Sequence, residues 1–323
     1  MQNYNLTDSA LQLGGVLLPS TDPLTGEYLL VLESEIPAGD ASPLSIAHTS
    51  PFISWNAGSS YLKASRGGKT ELIGGGKRGH IKGFSSSSRR RLMVTISKVK
   101  RDADLPLFVT LTYSAQFPDP KTSKQHLDTL DKRIGRAFPN LGFIWKLEPQ
   151  KRGAPHFHLL VWGEETRTAA DAMPAVPEPQ TSFCEWLPRA WFEIAGQGDE
   201  NHLLWHMGLL GSGNTHSVQR VNSFRGVWAY AAKYLGKTFE IPGWEAAGRF
   251  WGVVRRKNIP FGEAFTVDLD RSKACTVLRY MRRFSSKPKG KKVKKYRQNH
   301  RSATAYCEAD QWVNKLQLEV MPT

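Results

Sequence analysis

Short apolar runs bounded by turn-forming residues predict three strands in the middle of the chain. Residues 107–113 and 143–148 are both rich in β-branched and aromatic side chains. A turn-rich stretch, 149–155, then leads into 155–162, where the apolar run 159–162 is typical of a strand buried on both faces. Because the turn is short, the last two strands are predicted to form a hairpin.

Apolar residues at spacings of three and four predict helices around these strands. Residues 123–138 carry one such stripe, formed by Leu127, Leu130, Ile134 and Ala137. Four serines at 85–88 offer N-caps to a basic helix whose apolar face is Leu92, Ile96 and Val99. Further helices are predicted around 186–194, over the Ala-rich 226–237 with Gly236 at its end, and at the C-terminus, on Tyr306, Ala309, Val313 and Leu316.

The composition changes along the chain and suggests three segments. Residues 1–62 predict a few short strands and loops, and the Gly-rich basic stretch that follows is either a linker or a loop on phosphates. Residues 164–182 have the composition of a surface insertion, and 287–301 hold eight Lys or Arg and no acid, as a disordered or extended basic arm does. We therefore divide the chain into 1–84, 85–284 and 285–323.

The overall composition is that of a globular protein. The 323 residues are 40 % hydrophobic and can hold one large or two ordinary domains. No apolar run approaches the roughly 20 residues needed to span a bilayer, and no secretory signal pattern opens the chain, so we expect a soluble, intracellular protein. Cys184, Cys275 and Cys307 fit neither a zinc ribbon nor a disulfide framework and are expected to be reduced thiols.

The charge is strongly positive and unevenly distributed. A formal net charge of +15 indicates a polyanionic partner. Residues 1–62 contain six acids and no Lys or Arg, so the other 261 residues hold 44 basic against 23 acidic side chains. The basic surface therefore belongs to the part of the chain after residue 62.

Two histidines in the third predicted strand are candidate metal ligands. His156 and His158 are two residues apart and so lie on the same face of that strand. Glu148 flanks the turn opposite them, and two imidazoles with one carboxylate leave open positions on a divalent ion, which suits catalysis. Alternatively, the histidines are a polar surface and Glu148 is an exposed acid paired with Lys151 or Arg152.

Two tyrosines in a predicted helix are candidate nucleophiles. Tyr230 and Tyr234 are four residues apart and share one helical face, with Lys233 between them and Lys237 after them. Most aromatic pairs at this spacing are core packing. However, a tyrosine phenolate can also attack a phosphodiester and conserve its energy as a phosphotyrosine, and a nearby lysine could lower the phenol pKa or contact phosphate.

Two other nucleotide chemistries are excluded by the motifs. A histidine-triad hydrolase needs a third alternating histidine, and position 160 is Leu. No Gly-rich P-loop with Lys-Ser/Thr is present, which argues against an ATP-driven helicase in this chain.

In this order, the motifs resemble those of rolling-circle replication initiators of the HUH endonuclease superfamily, in the two-tyrosine branch of phages and plasmids. Residues 108–113 look like the first motif strand, Glu148 to His158 like the metal motif, and Tyr230 to Tyr234 like the nucleophile motif. The resemblance covers roughly residues 85–255. It implies an α+β fold in which a central antiparallel sheet, flanked by helices, carries the histidines on a middle strand.

The resemblance also implies roles for individual residues. His156, His158 and Glu148 would bind Mg²⁺ or Mn²⁺, and Tyr230 and Tyr234 would be the nucleophiles, assisted by Lys233. From their charge and position, the expected DNA contacts are Arg89, Arg90, Arg91, Lys151, Arg152 and Lys237.

These features predict an endonuclease that nicks one strand of origin DNA and later rejoins it. We expect single-stranded or origin DNA, a host helicase and a host DNA polymerase as partners, in the cytoplasm of a bacterial host and without membrane association. A conjugative relaxase or a transposase would use the same chemistry. A non-enzymatic DNA-binding regulator would instead make the two tyrosines core residues.

Overall fold

A computed structural model of the chain describes residues 29–32, 50–68, 81, 83–163, 182–196, 198–209, 217–221, 239–240, 242–244, 247–285, 302–306 and 308–320. Four predicted features lie wholly or almost wholly outside the described residues. They are the Gly-rich basic stretch, the insertion, the tyrosine helix and the basic arm.

The described residues form an α+β structure. The strands are β1 (Leu29–Leu32), β2 (Phe52–Asn56), β3 (Leu62–Ser65), β4 (Gly83–Phe84), β5 (Leu107–Leu111), β6 (Gly142–Pro149), β7 (Pro155–Trp162), β8 (Val218–Arg220), β9 (Phe239–Glu240), β10 (Trp251–Val254), β11 (Ala264–Asp268) and β12 (Ser302–Tyr306). The helices are α1 (Ser86–Ser97), α2 (Pro120–Ala137), α3 (Phe183–Ala195), α4 (Glu200–His206), α5 (Arg271–Ser285) and α6 (Ala309–Val320), with a 3₁₀ turn at Arg256–Asn258. The predicted fold class is confirmed.

The chain divides into two compact units. One draws on described residues within 1–78, 94–102 and 261–323, and the other on those within 79–93 and 103–260. The proposed functional boundaries after residues 84 and 284 stay a prediction. Among the described residues, no helix combines the length and apolarity required to cross a bilayer.

The second unit contains a five-stranded antiparallel sheet in the order β10-β6-β7-β5-β8. The histidine strand β7 lies in the middle of this sheet, as expected. Its residues from Phe157 to Trp162 are all buried, because the strand has neighbours on both edges and cover on both faces. This rigid centre fixes the backbone that carries the two histidines.

Two helices of this unit show why the sequence folds as it does. In α2 the predicted stripe is confirmed, since Leu127, Leu130, Ile134 and Ala137 are all buried. The helix begins at Pro120, three residues earlier than predicted, because Asp119 caps it and proline is well accommodated in the first turn. In α3, Ser182 and Glu185 form a capping box.

The first unit contains a second five-stranded antiparallel sheet, in the order β1-β12-β3-β2-β11. Helices α5 and α6 share a hydrophobic core with it, with Met281, Trp312 and Leu316 among the buried residues. The predicted C-terminal helix is confirmed in α6. The prediction that Tyr306 lies on it was wrong, because 302–306 pairs as a strand with β1 and β3.

Helix α1 confirms the predicted basic helix, and the Ser85 hydroxyl accepts a hydrogen bond from the Ser88 N–H at 3.3 Å. Leu92 and Ile96 are buried. Val99 lies beyond the end of the helix, in an isolated bridge to Phe261, so it does not extend the helical stripe as predicted.

Candidate metal centre

The hairpin of β6 and β7 brings the predicted metal ligands together. Its register places Glu148 opposite His156 and Lys146 opposite His158, so all four side chains lie on one face of the sheet. The turn between the strands is closed by a hydrogen bond of 2.9 Å from the Gln150 N–H to the Ala154 carbonyl. Gly153 adopts a φ of +84° in this turn, a conformation that strongly favours glycine.

Glu148, His156 and His158 form a compact group of potential ligands. One ligand atom from each lies within 4.8 Å of those of the other two. The Nε2 atom of His158 is 2.9 Å from Oε1 of Glu148, and the centroids of the two imidazoles are 4.4 Å apart. Among the described residues, this is the one group of three or more His, Cys, Asp or Glu side chains arranged to hold a metal ion.

A buried lysine holds the other oxygen of the glutamate. The Lys146 ammonium is 3.0 Å from Oε2 of Glu148, and its side chain is 0 % exposed against 17 % for the carboxylate. The ammonium also lies 4.8 Å from the centre of the Phe84 ring, on which it makes a cation–π contact. The Glu148 carboxylate therefore pairs with groups inside the hairpin, and neither Lys151 nor Arg152 is among the partners seen for it.

The charged groups of the cluster favour the forms that bind a cation. Burial by itself would raise the pKa of Glu148, but the hydrogen bond from His158 and the charge of Lys146 outweigh it and lower that pKa to about 2. Burial, followed by the proximity of His158, lowers the pKa of His156 to about 3. At neutral pH the group therefore presents an ionised carboxylate and a neutral His156 imidazole, which are ligand forms.

Neighbouring polar side chains orient the two imidazoles. The Thr110 hydroxyl lies 3.4 Å from Nδ1 of His158, the nitrogen that faces away from Glu148. The Gln150 amide nitrogen lies 3.0 Å from Nδ1 of His156. Phe108 stacks on His158 with ring centroids 5.3 Å apart. Outer contacts of this kind fix the rotation of a ligand ring before an ion arrives.

This donor set fits a divalent cation. Two imidazole nitrogens and one carboxylate oxygen converge from adjacent strands, and they leave coordination positions for water or substrate. His156, His158 and Glu148 would hold the ion, with Lys146 contacting the far oxygen of the carboxylate.

The predicted DNA contacts differ in their exposure. On α1, Arg89 is buried at 7 % exposure, Arg90 is half-buried and Arg91 is exposed. Lys151 and Arg152 are exposed in the hairpin turn. The Arg152 guanidinium donates to the carbonyls of residues 113 and 114 and to the side chain of residue 150, which ties the turn to the end of β5.

The predicted catalytic group lies outside the described residues. It comprises Tyr230, Lys233, Tyr234 and the neighbouring Lys237. Sequence reasoning also missed three contacts of the centre, made by Lys146, Thr110 and Gln150. Only Lys146 had a signal: it lies two residues before Glu148 and so on the same face of β6.

Comparison with known proteins places this centre in a family context. Residues 106–239, less than half of the chain, match the model of a family described as Replication-associated protein ORF2. The match supports a replication-associated protein. The matched segment contains both the hairpin centre and positions 230–237, and it agrees with a role in replication that involves DNA. No curated protein and no solved structure matches the chain.

Proposed function

We propose that the protein is a metal-dependent DNA nickase and strand transferase that initiates rolling-circle replication of a phage or plasmid. The observation that supports this most strongly is the Glu148–His156–His158 group on the hairpin, inside the segment that matches a replication-associated family. The excess of basic residues after position 62 supports a nucleic-acid substrate.

The proposed reaction is a transesterification at phosphorus. The phenol oxygen of Tyr230 or Tyr234 forms a bond to the scissile phosphorus, and the bond from phosphorus to the 3′ oxygen breaks. The phenol gives up its proton, and the departing 3′ oxygen takes up a proton to become a free hydroxyl. The 5′ phosphate stays on tyrosine, so the phosphodiester energy is conserved for rejoining by the reverse reaction.

The chain's own residues have separable tasks in this scheme. His156, His158 and Glu148 hold the cation site, and Lys146 restrains the Glu148 carboxylate from the side of Oε2. A bound Mg²⁺ or Mn²⁺ would polarise the scissile phosphate and stabilise negative charge on its non-bridging oxygens. Lys233 would favour the phenolate or contact phosphate.

Several basic residues are proposed to bind the DNA backbone. Lys151 and Arg152 are exposed on the hairpin turn, Arg91 is exposed on α1, and Lys237 would act from the tyrosine segment. Arg90 is half-buried, and the buried Arg89 would support α1 from below. Single-stranded or origin DNA is the proposed substrate, with a host helicase and DNA polymerase extending the 3′ hydroxyl in the bacterial cytoplasm.

The proposal is tested by metal-dependent cleavage of a pool of single-stranded DNA. With Mn²⁺, the protein should produce nicked strands with free 3′ hydroxyls, and the double variant Tyr230→Phe/Tyr234→Phe should lose this activity. Tyr280→Phe is the matched control, because Tyr280 lies on α5 against Trp312 in the other unit. Continued nicking by the double variant would contradict the tyrosine mechanism, and DNA binding without any nicking would favour a regulator.

A further inference from the structure

A second histidine pair lies at the end of β5, apart from the hairpin group. His202 and His206 are four residues apart on α4 and share one helical face. Their Nε2 atoms lie 3.0 and 3.1 Å from the same atom, the hydroxyl oxygen of Thr112. The two ring centroids are 4.6 Å apart. Three potential donor atoms therefore converge on one small volume.

Hydrogen bonding within the described residues does not fully account for this cluster. The Thr112 hydroxyl has a single proton, so it can donate to only one of the two imidazoles and must accept from the other. His206 is 3 % exposed, and its Nδ1 atom has no hydrogen-bond partner among the described residues. A buried polar atom left in this way carries a cost that a core residue with only packing duties would avoid.

The protonation state of the pair is that of metal ligands. Burial, and then the proximity of His202, lowers the pKa of His206 to about 3, and burial also lowers the pKa of His202. Both imidazoles are therefore neutral at physiological pH. A neutral pair offers no charge to a phosphate, but it offers two nitrogen lone pairs to a cation.

We propose that His202, His206 and Thr112 form a second divalent-metal site, which takes a borderline ion such as Zn²⁺, Co²⁺ or Ni²⁺. Around a tetrahedral zinc ion, ligand atoms lie about 3.3 Å apart, close to the 3.0 and 3.1 Å between Thr112 and the two nitrogens. His202 is half-buried and leaves a side open for water to complete the coordination.

The donor set separates this site from the hairpin centre. It contains no carboxylate, so it should bind Mg²⁺ poorly, whereas imidazole nitrogens suit the later transition ions. In the sheet, Thr110 pairs with His158, so Thr112 follows on the same face and next to His156. The second site would thus lie on the face of the sheet that carries the hairpin centre. The inference does not depend on the proposed nicking activity.

Zinc stoichiometry in the full-length protein tests this site. We expect His202→Gln to bind one equivalent of Zn²⁺ fewer than His126→Gln in equilibrium dialysis. His126 is a matched control, because it is a partly buried histidine bonded to the Tyr113 hydroxyl and lies in neither cluster. Equal stoichiometry in the two variants would overturn the proposal. His158→Gln should instead lose the hairpin site and keep the equivalent that His202→Gln loses.

A second measurement on the unaltered protein removes any dependence on how the variants fold. Diethylpyrocarbonate modifies free imidazole nitrogens, and the modified peptides can be mapped by mass spectrometry. At a Zn²⁺ concentration ten times Kd, modification of His202 should slow about tenfold, in proportion to the unliganded fraction. An unchanged rate at His202 under these conditions would refute the site. Mg²⁺ at the same concentration should give no protection.

Discussion

The buried ion pair between Lys146 and Glu148 leads to a quantitative prediction about the hairpin. The two charges are 3.0 Å apart, and the ammonium is 0 % exposed. At an effective dielectric constant of about 20, their Coulomb attraction is about 5 kcal/mol as an upper limit. The carboxylate is 17 % exposed and also contacts His158, so a coupling free energy of about 2 kcal/mol is the expected net value.

A double-mutant cycle measures that coupling. Glu148→Gln should cost about 3 kcal/mol, because it leaves a fully buried ammonium facing a neutral amide. Lys146→Met should cost less, about 2 kcal/mol, because water and His158 still reach the carboxylate. The double variant should cost about 3 kcal/mol rather than the roughly 5 kcal/mol of the sum, since neither charge remains to be compensated.

Hydrogen exchange of the β6 and β7 amides is the appropriate assay, carried out with chelator present. It reports the opening free energy of this sheet and is not confused by the unfolding of the other unit. If the two single costs add within about 0.5 kcal/mol in the double variant, the pair is not coupled. The electrostatic reasoning about the centre would then be wrong.

Three further predictions concern the surroundings of the centre. Thr110→Val should weaken Mn²⁺ binding about tenfold in calorimetry, since it removes the hydroxyl 3.4 Å from the outward nitrogen of His158; Thr110→Ser should bind normally, and equal affinities for all three proteins would contradict this role. Gly153→Ala should cost about 1 kcal/mol in hairpin stability by hydrogen exchange, because φ is +84° while the space for a Cβ is open; no loss would show that the turn relaxes. Burial lowers the pKa of His126, so the unfolded chain binds the extra proton and stability should fall as pH drops below about 6.5; urea unfolding at pH 7.5 and 5.5 should show a smaller fall for His126→Gln, and an equal fall would exclude this contribution.

Local patterns predicted those features of the second unit that depend on neighbouring residues. The apolar run of β7 and the stripe of α2 require only the periodicities of strand and helix, so both were predictable. The place of Glu148 opposite His156 also followed, since a short hairpin turn sets the register of its strands. A candidate metal centre on one hairpin is therefore within reach of sequence reasoning.

Features that join distant parts of the chain were not predictable in the same way. Tyr306 was assigned to a helix, because nothing local shows that its segment pairs with strands more than 200 residues earlier. Thr112 and His202 are 90 residues apart and meet only through tertiary structure. Lys146 was overlooked as a buried group, since a lysine in a sequence is expected at the surface unless a partner is known.

The central claim is tested most directly by mapping the covalent adduct between the protein and DNA. The protein is incubated with Mn²⁺ and a pool of single-stranded DNA, digested with protease and nuclease, and searched for a tyrosine carrying a 5′-linked nucleotide. The account predicts the label on Tyr230 or Tyr234, and its loss when Glu148 or His158 is replaced. A label on another residue, or nicked DNA without any protein adduct, would contradict it.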